Sequence, residues 1–512
     1  MIAAIELENF KGISDRVRIE LAPVTLLFGA NNAGKSTVLH ALHYFLECVD
    51  RSQLEGNRPR SAHEAFDSGG FGRVVHQHQL DRTISIRIEL DSKSADPFPS
   101  LWDHPDGYLV HNKEVDVLLK PLWVELRIQS FPERPHEGAV AELRVGTVGR
   151  DQWLVRAYVE PDACHGTSIG TSIDVDFGHP ALAWFKEKYE DWEHFEEVAT
   201  RTNASVLTFR AASPDVRSPV PRTDAPFSIR RLKRPDDTPD EIRVLQGLRP
   251  SHEAWHVAVP LGNMGRLLDL LLVGPVAHVT RALRNLVHVG PLRTVPSRAM
   301  VFETAKSNEG WGDGLRAWGE LFRSPQLLDL TNHWFDRMEM DASLVARQYF
   351  ASPYDAGHPG IGRLMVGMVG RTGVRFPCEL GVGFAQLVPI VAAALTPPDG
   401  GLVMVEQPEL HIHPALQVKL ADLFIAQSAS RQLIVETHSE HIILRMLRRI
   451  RETTASTLSE GAPRFDPSRL SVLYVEPSAT GTKVQRLNVD YSGEFVDRWP
   501  KGFFEERGEE LF

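Results

Sequence analysis

Cysteine is scarce. Cys48, Cys164 and Cys378 stand alone among 512 residues with no CxxC pair, which excludes a disulfide framework and a cysteine zinc site. Long apolar runs are missing, and the first residues lack the basic, apolar, small-residue order of a signal peptide. The expectation is therefore a soluble, cytoplasmic chain with no membrane partner. Positive charge is in deficit: the net charge of −11 excludes a chain that coats nucleic acid by bulk charge, although it leaves room for a local basic groove. Sustained heptads are absent between residues 50 and 300, so no long coiled-coil arm is expected. No internal repeat stands out. What remains is ordinary globular composition in a chain too long for one average core, so two or three lobes are expected.

Against those absences, one stretch matches a chemical pattern at every defined position: Gly29-Ala30-Asn31-Asn32-Ala33-Gly34-Lys35-Ser36-Thr37, a phosphate loop of the form G-x-x-x-x-G-K-[ST]. Its setting fits. Val24–Phe28 leads in as a short apolar strand, and Val38, Leu39, Leu42, Phe45, Leu46 and Val49 follow at helical spacing. Strand, glycine loop and helix aim backbone N–H groups and a helix N-terminus at a phosphate chain. In that geometry Lys35 reaches the β- and γ-phosphates, and the Ser36 hydroxyl holds Mg²⁺.

The remaining chain divides by pattern. Alternating segments at Thr83–Leu90, Leu122–Ile128 and Ala139–Val145 predict a mostly antiparallel β lobe. Residues 51–72 and the proline- and arginine-rich stretch 210–240, with Arg230-Arg231, read as loops, the second as a solvated insertion. A short helix is expected over 180–200 and a longer one over Leu267–Leu286. Farther on, Arg363–Met368 and Val374–Phe376 form a hairpin around Gly370–Gly373. A glycine-glutamine stretch, Gly381-x-Gly383-x-x-Gln386, then opens an apolar helix. Leu402–Val405 and Gln432–Val435 read as fully buried strands, the first ending in Glu406-Gln407-Pro408-Glu409 and the second in Glu436-Thr437-His438-Ser439. Buried strands alternating with helices predict a parallel α/β sheet. Arg445, Arg448, Arg449 and Arg451 lie opposite an apolar helix face and read as a solvated charged face. His76-x-His78 and His411-x-His413 lack a third ligand at zinc spacing.

Asn9-Phe10-Lys11-Gly12, the phosphate loop, Gly290-Pro291-Leu292-Arg293, Gly381–Gln386, Glu406–Pro414 and Thr437-His438-Ser439 follow one another in an order that resembles the ABC-type ATPase heads, the class of RecF and the SMC-like repair ATPases. Within that class the chain is similar to the overcoming-lysogenization-defect group and to the ATPases of the Septu and Gabija defence systems. The resemblance covers both ends of the chain and none of 95–250. It implies an ABC-type head with a mostly parallel core sheet, an antiparallel β lobe and a helical or irregular insertion. The head would be split over residues 1–95 and 266–512 around an insertion lobe at 96–265. It also implies ATP and Mg²⁺ as cofactors and a head-to-tail homodimer. In that dimer, ATP on Asn31, Asn32, Ala33, Gly34, Lys35, Ser36 and Thr37 of one subunit is closed over by Gly381, Gly383 and Gln386 of the other, and larger assemblies remain open. Glu406 would take the Walker B role and share Mg²⁺ with Ser36, while His438 would be the switch histidine.

Two departures bear on activity. Ala385 stands where the family has Ser, and Gln407 stands where the family places the carboxylate that polarises water. An amide orients water but cannot accept its proton, and a positioned base is worth about 10²–10⁴ in rate. Either Glu409 substitutes, or hydrolysis is slow and ATP acts as a clamp. Residues 440–512 are too few for the fused nuclease domain of some relatives. The implied partner is therefore a separate nuclease or toxin subunit, and the expected function is sensing of foreign nucleic acid or phage in defence. A RecF-like DNA-processing ATPase and a non-hydrolysing, ATP-locked scaffold are the alternatives.

Overall fold

The computed structural model describes residues 1–53, 68–91, 122–131, 134–160, 170–182, 206–211, 220, 227–232, 241–246, 268–303, 310–349, 361–368, 373–396, 401–478 and 481–500. Residue 183 onward of the helix expected over 180–200 and the turn at Gly370–Thr372 lie outside these residues.

Contacts divide the chain into two units. One takes residues 1–19, 41–58 and 68–284, and the other takes 20–40, 59–67 and 285–512. Residues 20–40 of the expected 1–95 segment thus belong with the C-terminal segment, and most of the remainder belongs with the middle one.

The first unit is built on strands β1 (Ile2–Glu8), β2 (Val17–Glu20), β4 (Ile84–Leu90), β5 (Leu122–Phe131), β6 (Arg134–Thr147), β7 (Trp153–Glu160) and β8 (Gly170–Asp176). Three more, β9 (Val206–Ala211), β10 (Phe227–Leu232) and β11 (Glu241–Gln246), complete a sheet of order β10-β11-β9-β8-β7-β6-β5-β4-β1-β2. Neighbours from β1 to β9 pair antiparallel through β4–β8, while β11 runs parallel to β9. The 210–240 loop expectation is corrected at Phe227–Leu232, and residues 212–219, 221–226 and 233–240 lie outside the described residues. Arg230 and Arg231 sit in β10, where they pair with Arg243 and Ile242 of β11. Local composition hid a strand that only its partner reveals. One sheet face is polar yet buried: Glu125 accepts from Ser85 Oγ at 2.6 Å and lies among Arg16, Arg87 and Arg144. Burial pushes the Glu125 carboxyl up, and those bonds and charges more than offset it, leaving its pKa lowered. Asp174 accepts from Arg156 Nε at 2.8 Å, and Asp176 accepts from Gly178 N at 2.9 Å.

The second unit carries a six-stranded sheet of order β12-β17-β18-β3-β19-β20. Its strands are β3 (Val24–Gly29), β12 (Val287–Val289), β17 (Leu402–Glu406), β18 (Gln432–Glu436), β19 (Leu470–Ser478) and β20 (Gly481–Leu487). All neighbours are parallel except β19 and β20. Runs such as Leu402-Val403-Met404-Val405 are buried throughout because helices cover parallel sheets on both faces. A smaller antiparallel sheet holds β13 (Phe302–Glu303), β14 (Ala342–Tyr349), β15 (Ile361–Met368) and β16 (Val374–Arg375).

Among the described residues the longer helices are α1 (Ser36–Gln53), α2 (Gly274–Arg284), α3 (Leu315–Arg323), α4 (Pro325–Arg337), α5 (Val382–Leu395), α6 (Pro414–Gln427) and α7 (Glu440–Thr454). From Ala385 to Leu395 every residue of α5 is buried, as a helix apolar on all sides must be. On α7 the solvated-arginine reading holds for Arg448 and Arg451, which are exposed, and is corrected for Arg445 and Arg449. Arg449 is buried and, with Arg445, brackets Asp422 of α6, with Arg449 Nε at 2.8 Å and Arg445 Nη2 at 2.6 Å. Helical spacing placed Arg449 opposite the apolar face, but α6 packs there and supplies a carboxylate. Among the described residues no helix is long and apolar enough to cross a membrane.

Candidate functional site

Parallel strands put their carboxyl ends on one edge, and β3, β17 and β18 are neighbours. Glu406 and Glu436 are register partners, and Glu436 is also paired with Leu27, two residues before the phosphate loop begins. Three chemically distinct chain ends therefore converge through sheet order alone.

The loop itself is held by close backbone approach. Gly29 has φ +146° and its added Cβ would collide with the Val475 carbonyl oxygen of β19, so no side chain fits. Gly34 has φ +96°, and a Cβ there would lie 2.9 Å from Thr482 Oγ1 of β20. Ala30, Asn31 and Asn32 are exposed, whereas Ala33, Lys35 and Thr37 are buried. The Lys35 ammonium donates to Gly29 O at 3.0 Å and Ala30 O at 2.9 Å, and lies 3.8 Å from Glu436 Oε1. Burial lowers its pKa, against the charges of Glu436, Glu409 and Glu406.

Ser36 Oγ stands between two carboxylates, 2.7 Å from Glu436 Oε2 and 3.3 Å from Glu406 Oε2. The two acids are not equivalent. Burial pushes Glu406 up, but the hydrogen bond and charge of His288, together with His40 and Ser36, hold its carboxyl below the ordinary range. Glu436 is raised, first by burial and then by the charges of Glu406 and Glu409, against Ser36 and Lys35. The Nε2 of His288, from β12, lies 2.8 Å from Glu406 Oε1.

Glu409, expected as a substitute base, has both oxygens engaged. Oε2 accepts from Thr437 Oγ1 and Oε1 from His438 N, each at 2.7 Å. It thereby fixes the turn that carries His438, whose pKa is lowered by burial and by the charge of Lys35. Gln407 occupies the left-handed region at φ +44°, and its N–H donates to Glu436 O at 2.7 Å.

At the start of α5 the expected trio separates. Gly381 is exposed with open space around its Cα, and Gly383 passes so near His411 O that a Cβ would collide with it. Gln386 is buried, its Nε2 donating to Arg293 O at 2.7 Å, so its amide is engaged within the subunit. Gly381 and Val382 are the exposed part of this helix start.

The donor set suits a nucleotide with Mg²⁺. The cation takes oxygen ligands, usually one or two carboxylates beside phosphate oxygens and water. Ser36 and Glu406, with Glu436 beside them, offer that chemistry, and Lys35 supplies the compensating charge. No group of three or more His, Cys, Asp or Glu among the described residues could hold a metal unaided. The histidine pairs serve the fold: His413 Nδ1 caps α6 at Ala415 N, and His76 Nδ1 lies 2.8 Å from Lys11 O.

Glu436, His288 and Arg293 were missed as site residues by sequence reasoning. The available signal was that Glu436 and Glu406 both end apolar strands, which in a parallel sheet become neighbours.

Residues 1–120 match the family model described as AAA ATPase domain, and residues 376–444 match the one described as "AAA domain, putative AbiEii toxin, Type IV TA system". No curated protein matches. Among solved structures, the chain is similar to an Smc head bound to the C-winged helix domain of ScpA, at 12% identity and TM-score 0.38, covering 96% of this chain and 98% of that one. It is also similar to the Smc head from Pyrococcus furiosus with an extended coiled coil, at 12% identity, TM-score 0.37 and coverage of 100% and 98%. The SMC head domain from Thermotoga maritima follows at 8% identity, TM-score 0.36 and coverage of 95% and 99%.

Proposed function

We propose that the chain binds ATP with Mg²⁺ at Gly29–Thr37, hydrolyses it slowly, and uses the bound state to control a separate effector subunit. The observation that carries the nucleotide reading is Ser36 Oγ held between Glu406 and Glu436 at the end of a glycine loop whose lysine is buried beside them. The family model over residues 1–120 supports the same reading.

When bound, ATP supplies a γ-phosphoryl group for transfer to water, and Mg²⁺ neutralises charge on the phosphates. Lys35 places a cation at the phosphate chain. Ser36 and Glu406 would supply oxygen ligands to Mg²⁺, and the hydrogen bond from His288 favours the ionised form of Glu406. Gln407 orients water without accepting its proton, and Glu409, the other carboxylate on this loop, accepts from Thr437 and His438, which ties it to their turn. Slow turnover follows. The α5 start, exposed at Gly381 and Val382, is the surface that would meet the nucleotide of a second copy, giving a homodimer around two ATP molecules. The defence role of the OLD-like or Septu kind rests on the motif order of the sequence, while the model matched at 376–444 supports an AAA domain of a toxin-linked kind.

The test is binding of a fluorescent ATP analogue, phosphate release, and mass by light scattering with ATP or ADP. Lys35→Ala should abolish binding, and ATP but not ADP should double the mass. Retained binding in Lys35→Ala would overturn the site. An unchanged mass would overturn the dimer. Copurification of a nuclease or toxin subunit supports effector control, whereas ATP-dependent, salt-sensitive binding of duplex DNA by the purified chain alone points to a DNA-processing ATPase.

A further inference from the structure

Arg293 follows β12 in Gly290-Pro291-Leu292-Arg293, and it turns inward where its neighbour does not: Leu292 is 81% exposed and Arg293 5%. Its Nη2 donates to two consecutive carbonyls, Glu406 O at 2.6 Å and Gln407 O at 3.1 Å. Those carbonyls flank the point where the chain leaves β17 and Gln407 enters the left-handed region. The Arg293 carbonyl in turn accepts from Gln386 Nε2 at 2.7 Å, inside the first turns of α5. One residue thus joins the glycine-rich start of a helix to the carboxylate end of a strand.

As a purely structural element this is a poor choice. Burial pulls the guanidinium down to about 10, against the charges of Glu409 and Glu406, so it stays cationic at neutral pH. Its Nε and Nη1 are buried with no hydrogen-bond acceptor among the described residues. Buried donors are normally satisfied, and an apolar side chain of similar volume avoids the desolvation of a cation. Such a group is kept where its geometry has a task.

We infer that Arg293 is a positioning residue that fixes the Glu406–Gln407 backbone and ties it, through Gln386, to the start of α5. The inference rests on the ATP-site reading above. Fixing two successive carbonyls fixes the backbone from which both side chains leave: that of Glu406, which reaches Ser36 Oγ at 3.3 Å, and that of Gln407, the next residue. The three hydrogen bonds run to the strand end and to α5 rather than to the phosphate loop. Metal-free nucleotide capture should therefore be indifferent to Arg293, while the metal-dependent and hydrolytic steps should need it.

The experiment uses the full chain with Arg293→Met, Gln386→Met and the double substitution. It reads ATP-analogue affinity in EDTA, the gain in affinity on adding Mg²⁺, and kcat. Expected for Arg293→Met is EDTA affinity within about twofold of wild type, loss of most of the Mg²⁺ gain, and a fall in kcat of about tenfold or more. Gln386→Met should shift the same two quantities in the same direction by less, and the double variant should match Arg293→Met, because linked residues are not additive. Should Arg293→Met fail to fold, Gln386→Met carries the test by the same split. A folded variant that keeps its Mg²⁺ gain and kcat overturns the inference. So does one that loses EDTA affinity in step with kcat, which marks a general structural role. Failure of the wild type to bind the analogue overturns the ATP site itself, a distinguishable result.

Discussion

Gln407→Glu places a carboxylate where the site has an amide, on a backbone already held on both sides by Gln407 N to Glu436 O and Arg293 Nη2 to Gln407 O. The new side chain should therefore occupy nearly the same position as the old one. A placed base is worth about 10²–10⁴ in rate. The opposing effect is crowding by Glu406, Glu436 and Glu409, since two unit charges about 6 Å apart repel by about 3 kcal/mol at an effective dielectric of about 20. That repulsion raises the new carboxyl's pKa toward neutrality, which suits a general base, while Lys35 and Arg293 keep part of it ionised. The net expectation is a kcat about 10–100-fold above wild type with ATP affinity nearly unchanged. Steady-state phosphate release and single-turnover quench measure it. A variant that binds ATP as wild type does and turns over no faster would refute the reasoning, and the clamp reading with it. If Glu409→Ala also abolishes wild-type turnover, Glu409 is the base after all.

Glu409→Gln removes one of two charged acceptors and presents an N–H to Thr437 or His438. It should cost about 1–3 kcal/mol locally and speed amide hydrogen exchange at Thr437 and His438. Unchanged exchange would show that Glu409 does not hold the turn. Glu436 binds its proton more tightly folded than unfolded, so the stability it contributes is present in acid and lost as pH rises through its raised pKa. In EDTA, Glu436→Gln should accordingly melt above wild type at neutral pH, with the gap closing on acidification. A gap that widens in acid contradicts that sign. Asp422 is the opposite case: burial raises its pKa but Arg449 and Arg445 bring it below the ordinary value, so its contribution is lost as pH falls through the folded pKa. Asp422→Asn removes the carboxylate that bridges Arg445 and Arg449, leaving buried Arg449 with Glu452 alone, and should cost about 2–3 kcal/mol in a urea titration. A loss under about 1 kcal/mol would place the pair among weak surface bridges.

The sequence by itself determined the local chemistry. The glycine loop, its lysine and serine, and the apolar runs of β17 and β18 are contiguous patterns, and burial period and motif spacing are properties of contiguous residues. Tertiary structure alone decided which ends meet. Ser36 lies between acids 370 and 400 residues away because β3, β17 and β18 lie side by side in one sheet. Glu436 and His288 carry no motif, so their roles followed only from strand order. The same physics separated residues that the motifs grouped. Glu409 became a clamp and Gln386 an internal donor, because each found an acceptor or donor on a distant segment. Arg449 left solvent for the same reason, since helical periodicity gives a face its polarity but not its neighbour. The sequence showed that Gln407 cannot take a proton. Only the fold showed that Arg293 and Glu436 hold its backbone in place and that Glu409, beside it, is already engaged.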